Sequence, residues 1–272
     1  MPSIFKMEGI SFYLVNLTMK KAISFVIRYV PRPILQRISP LVMKVLAQVN
    51  SGNEVQCPIC HKEYKKFLPY GRVARENALC PNCLALERHR LMWLFLKEKT
   101  DFFTAPLKVL HVAPEHCFID RFDALPNLEY ITADIESPLA KVKMDVHQIP
   151  FPENTFDVVF CNHVLEHVED DILACSEFNR VLKPGGWGIL QSPVYNLEKT
   201  LEDKTITDPA ERERLFGQRD HVRKFGKDYA ERLRKSGLQI EENQFVKELP
   251  NEKVKRFALA PDEVIFVCRK GI

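Results

Sequence analysis

The chain has 272 residues, 46% of them hydrophobic and 28% charged, and a net charge of +3. That composition excludes a disordered or fibrous chain and allows one sizeable core plus a small second module. Eight cysteines in so long a chain are not a disulfide framework, and no apolar run approaches the roughly 18 residues that a spanning helix needs.

Residues 1–50 carry seven Lys/Arg against one Glu. Asn16, Lys20, Ser24 and Arg28 recur every fourth residue among Leu14, Leu17, Ala22, Phe25 and Val26, which predicts an amphipathic helix. "VPRP" breaks it, and Ser39 and Pro40 begin a second helix as N-cap and first helical residue. Such a basic arm can lie on an anionic membrane surface. It is read first as an arm that packs on the protein and shows its Lys/Arg side to solvent. Lys20, Lys21 and Arg28 interrupt the apolar stretches, so no cleavable leader is expected. The expected compartment is reducing and cytoplasmic, with the inner membrane face as a peripheral contact of residues 1–50.

Residues 51–100 form the second segment. "CPIC" at 57–60 and "CPNC" at 80–83 are separated by nineteen residues. Two such knuckles bring Cys57, Cys60, Cys80 and Cys83 onto one ion, and the spacing predicts a closed, structural zinc site. The loop between them interleaves Lys62, Lys65, Lys66, Arg72 and Arg75 with Tyr64, Phe67 and Tyr70. Basic residues among aromatics can bind RNA. In so small a module the aromatics are first expected to pack a core. "LALERHRLMWLFLKEKT" then reads as a helix ending in a basic turn.

From about residue 105 strand and helix alternate. "KVLHVA", "EYITAD", "FDVVFCN", "WGILQSP" and "EVIFVCRK" read as strands, and "DDILACSEFNRVL" as a helix. Short, nearly continuous apolar runs and the alternation predict βαβ units and a parallel, doubly wound sheet with strands buried on both faces.

Four stretches carry a further signal: "KVLHVAPEHCF", "EYITADIES", "MDVHQIPFPENTFDVVFCNHVLEHV" and "RVLKPGGWGIL". In this order and spacing, residues 101–272 resemble a class I S-adenosylmethionine-dependent methyltransferase of the type 11 branch. The resemblance implies a Rossmann-like seven-stranded sheet with helices on both faces, behind a zinc ribbon and a helical arm. It also implies that Asp134 holds the ribose hydroxyls of S-adenosylmethionine, that Asp145 accepts from the adenine amino group, and that the backbone near Val146 meets the ring. On the same alignment His111 stands at the usual acidic position and Ala113 and Glu115 at glycine positions. Glu115 could then meet the cofactor's ammonium, with Asn162 at the end of the fourth strand nearby. The altered turn equally suits a non-catalytic adaptor on this fold.

His163, Glu166 and His167 would share one face if "NHVLEHVED" were helical. Two imidazoles and a carboxylate suit a transition metal, but a general base at His163 or His167 is the preferred reading. Tyr195, Asp220, His221 and Arg223, in the segment after the fifth strand, are candidate acceptor-binding residues. The expected acceptor is a small molecule, a glycan or a lipid-linked group, methylated at O or N. RNA, read by the ribbon, is the alternative.

Overall fold

The structure, a computed structural model, describes residues 43, 45–71, 73–137 and 140–272. The predicted arm lies outside them, except that residues 45–49 are helical. Strands β1 (Ser51–Gln56), β2 (Glu63–Tyr64), β3 (Leu68–Tyr70) and β4 (Arg75–Leu79) come next. β1 pairs with β2, and β3 pairs antiparallel with β4. Val55, Tyr64, Phe67 and Ala78 are buried between them, while Tyr70 is exposed. Two of the loop's three aromatics are therefore core, and the lysines beside them face water.

Helix α1 (Glu87–Lys99) follows. Leu86 offers no side-chain cap, and His89 reaches back instead, its Nδ1 accepting the Leu86 N–H at 3.2 Å. Arg90 is fully buried on this helix. Its guanidinium lies 4.3 Å over the Phe67 ring and donates to the carbonyls of Ala78, Ala85, Phe257 and Ala258 at 2.7–3.0 Å. One side chain thus joins the ribbon to the far end of the chain, and residues 52–272 form a single compact unit.

The main sheet contains β5 (Leu107–Val112), β6 (Leu128–Asp134), β7 (Val142–Lys143), β8 (Phe156–Asn162), β9 (Leu182–Gln191), β12 (Gln239–Asn243) and β13 (Ile265–Arg269). Their order is β12-β13-β9-β8-β5-β6-β7, and β13 runs antiparallel to both neighbours. The seven-stranded Rossmann-like sheet expected above is the one found, mixed through this one strand. Around it lie α2 (Ile119–Asp123), α3 (Asp171–Val181), α4 (Pro209–Phe216), α5 (Tyr229–Arg234) and α6 (Asn251–Arg256). A small ladder joins β10 (Leu201–Glu202) to β11 (Arg223–Lys224). Among the described residues no helix is long and apolar enough to cross a membrane.

Local chemistry explains the breaks. The Asp170 side chain accepts the Leu173 N–H at 2.9 Å and starts α3. Gly188 is required by close approach, since a Cβ there would sit 2.1 Å from the Val159 carbonyl oxygen. The expected helix over "NHVLEHVED" is not formed: residues 163–169 are turns. His163 takes φ +56° as it leaves β8, which is incompatible with continuing into a right-handed helix.

Candidate functional site

The four cysteines come together through two copies of one turn. The His61 N–H donates to Cys57 O at 2.8 Å and the Leu84 N–H to Cys80 O at 2.9 Å. His61 and Leu84 then turn left-handed, at φ 59° and 62°. The Sγ atoms of Cys57 and Cys83 are 3.6 Å apart and those of Cys60 and Cys80 3.7 Å. Tetrahedral zinc with bonds of about 2.3 Å needs sulfurs about 3.8 Å apart. The cluster can therefore coordinate a metal, and it contains no disulfide.

The second site lies where the strand order reverses. β5 continues to β6 on one side and pairs with β8 on the other, so a crevice opens beyond their carboxyl ends. The residues that leave both strands are left-handed without being glycine: Ala113 at φ 48° and His163 at φ 56°. Backbone strain of this kind concentrates at ligand sites.

Glu115 occupies the floor. Its carboxylate accepts from His111 Nε2 at 2.7 Å and Asn162 Nδ2 at 2.9 Å, and lies 3.7 Å from His89 Nε2. Buried His111 meets the Tyr130 hydroxyl at 2.7 Å through Nδ1. Burial raises the Tyr130 pKa, so the hydroxyl keeps its proton. Burial opposes the charge on Glu115, but the charge and hydrogen bond of His111, with His89 and Asn162, hold its pKa at about 2. Burial pushes His89 down to about 3, so it stays neutral.

Above this floor is a small cavity that also includes Arg88, His89, Gln191 and Glu263 in its lining. Arg88 Nε, His89 Nε2 and Asn162 Oδ1 are buried and have no hydrogen-bond partner among the described residues. Burial raises the pKa of Glu263. Sequence reasoning reached Glu115 and Asn162 but missed Arg88, His89, Gln191 and Glu263. The available signal was the helix that starts directly after the second knuckle, which carries Arg88 and His89 in its first turn.

Asp134 ends β6, and its Oδ1 accepts the N–H groups of Glu136 and Ser137 at 2.8 and 2.7 Å. Asp145 accepts from both the backbone N–H and the ring of His147, and those bonds lower its pKa. Val146 is buried beside it. His163 Nδ1 is 3.2 Å from Glu166, which is buried and also accepts from Ser192 Oγ at 2.8 Å. Burial opposes the Glu166 charge, and the His163 and Ser192 bonds outweigh it, so the carboxyl titrates below the ordinary range. Tyr195 is half-buried, with Lys224 Nζ 4.3 Å over its ring.

Asp220 is exposed and meets His167 at 3.3 Å. His221 is buried, its ring packed edge-on against His167 at 4.6 Å. Arg223, expected to face the acceptor, is 2% exposed. It donates to the carbonyls of Leu165, Val168 and Glu169 at 2.5–2.9 Å and so forms part of the scaffold.

Residues 108–190, from β5 to β9, match the family model for a methyltransferase domain. A 42-residue stretch is 48% identical to an uncharacterized methyltransferase of Schizosaccharomyces pombe and covers 15% of each chain. A 55-residue stretch is 44% identical to demethylmenaquinone methyltransferase of Staphylococcus aureus, covering 20% of this chain and 22% of that one. The chain thus spans less than a quarter of the length of these curated relatives. A solved structure of the cyclase SpnF is similar over 87% of this chain and 95% of that one, at 17% identity and TM-score 0.46. Residues 108–190 thus resemble a methyltransferase domain, and they lie within a seven-stranded Rossmann-like sheet. In this chain a four-cysteine cluster capable of holding a metal precedes that domain.

Proposed function

We propose that the chain is an S-adenosylmethionine-dependent methyltransferase with structural zinc on its four cysteines. Its acceptor is a small molecule, glycan or lipid-linked group methylated at O or N. The staphylococcal relative is named for demethylmenaquinone, which supports a quinone-like ring as one candidate acceptor.

The crevice lining is the observation that carries this reading. Arg88 shares this lining with Glu115 and Glu263, and three buried polar atoms there lack partners among the described residues. That pattern suits a zwitterionic amino-acid tail: Arg88 for its carboxylate, Glu115 and Glu263 for its ammonium. Only two of the four lone-pair directions of Glu115 are used by His111 and Asn162. The place of Asp134 at the end of β6 supports the ribose-binding role, and Ile135 beside it is 54% exposed, an apolar face for a purine ring.

The bound cofactor would supply an electrophilic methyl group on a sulfonium. The protein's part is to align the acceptor and remove its proton. His163 follows β8 directly, and its Nε2 is buried without a partner among the described residues, which supports its role as base. Half-exposed His167, four residues further along the chain, is the second candidate.

Calorimetric titration with S-adenosylmethionine tests the proposal. Binding is expected, with Arg88→Ala weakening it by about 1–3 kcal/mol. His163→Ala should bind cofactor normally and lower kcat by about 10²–10⁴. Absence of binding to the folded wild type would leave only the adaptor reading.

A further inference from the structure

We infer that Glu166, His167 and His221 form a second metal site, distinct from the four cysteines, for a divalent first-row transition metal. Their ligand atoms all lie within 4.8 Å of one another. The set is drawn from two loops, residues 163–169 and the stretch before β11, and differs from the trio that a helix would have aligned.

The surroundings of each ligand favour coordination. His221 Nδ1 is 3.3 Å from the Phe216 carbonyl oxygen, which can only accept, so Nδ1 carries the proton. Its Nε2 is then a lone pair, and that atom is buried with no partner among the described residues. A buried imidazole lone pair without a donor is costly unless something binds it. His167 Nδ1 faces Asp220 at 3.3 Å, which likewise leaves Nε2 for a ligand. Imidazoles that bind metals donate their other N–H to a carbonyl or a carboxylate in this way. Glu166 is held in place by Ser192 and His163.

The two loops are also locked together. The Val222 N–H donates to Glu166 O at 3.0 Å, and buried Arg223 clamps the carbonyls of residues 165, 168 and 169. Two imidazoles and one carboxylate select a transition metal over magnesium or calcium, which prefer oxygen ligands. Three protein ligands leave coordination positions open, and half-exposed His167 leaves the site reachable from solvent. The inference does not depend on the cofactor reading.

Cobalt(II) titration of the full, untagged chain tests it, because thiolate and nitrogen/oxygen sites differ in colour. With zinc already on its four cysteines, wild type should take one further equivalent, with weak d–d bands and no thiolate charge-transfer band. His167→Ala, at a half-exposed position, should weaken that equivalent at least about tenfold and leave the zinc content unchanged. His221→Ala should do the same wherever zinc content and thermal melt are those of wild type. A zinc-loaded wild type that takes no further cobalt, or takes it unaffected by His167→Ala, would overturn the assignment.

Discussion

In the four-cysteine module, every thiol comes from two copies of one local turn, each closed by two backbone bonds and carrying a left-handed residue. In the crevice, Arg88 and His89 come from α1, Glu115 from the turn after β5, Asn162 from β8, Gln191 from β9 and Glu263 from the approach to β13. The first site is short-range and survives any rearrangement that keeps two knuckles intact. The second exists only when the sheet, α1 and the β13 approach are all in place. Arg90 couples the two: it fixes the start of α1 against the ribbon, and the same turn of helix presents Arg88 and His89 to the crevice.

The largest expected effect is at the ribbon. Cys57→Ser should abolish stoichiometric zinc and destabilise the fold by more than about 5 kcal/mol, because structural zinc binding is folding energy. Metal analysis and thermal melts measure this, and a metal-free wild type would end the zinc assignment.

Arg90→Ala probes the coupling. It removes the donors of four carbonyls around a buried cation and should cost about 3–5 kcal/mol. Wild type should unfold in one denaturant transition. If the mutant also melts in one transition at the wild-type midpoint, ribbon and sheet are not coupled through this residue.

Glu115 sharpens the other side of the comparison. Its folded pKa of about 2 lies below the ordinary carboxylate value of about 4.3. Its contribution to stability, about 3 kcal/mol, is therefore complete above the unfolded pKa and is lost as pH falls from about 4.3 towards 2. Glu115→Gln should flatten acid denaturation in that window. The same variant should weaken S-adenosylmethionine binding by about 1–3 kcal/mol, with little loss for an analogue that lacks the amino group. Glu115→Gly should not bind like wild type; equal binding would make Glu115 a turn residue only.

Asp134→Ala, the smallest effect, should weaken the cofactor by about 1.5–3 kcal/mol with stability nearly unchanged, since Oδ1 makes only two turn bonds. An unchanged dissociation constant in the folded mutant would remove Asp134 from the site.

The sequence alone determined the elements whose signal is local. Cysteine pairs at fixed spacing, apolar runs such as "FDVVFCN", and the helix over "DDILACSEFNRVL" each act over a few residues, where bond geometry and hydrophobic periodicity leave little choice. The helix expected over residues 163–169 failed because one residue, His163, leaves β8 with positive φ, a conformation that pairing with the Gln191 carbonyl at 2.7 Å imposes from outside the segment. Arg223 reads as a free cation until the turn at 165–169 folds over it. His221 became a partner of Glu166 and His167 only when the chain brought two separate loops into contact. Tertiary structure decided these because they depend on which distant groups end up sharing a water-poor volume. Once there, every buried donor, acceptor and charge must find a partner from whatever elements packing has placed within reach.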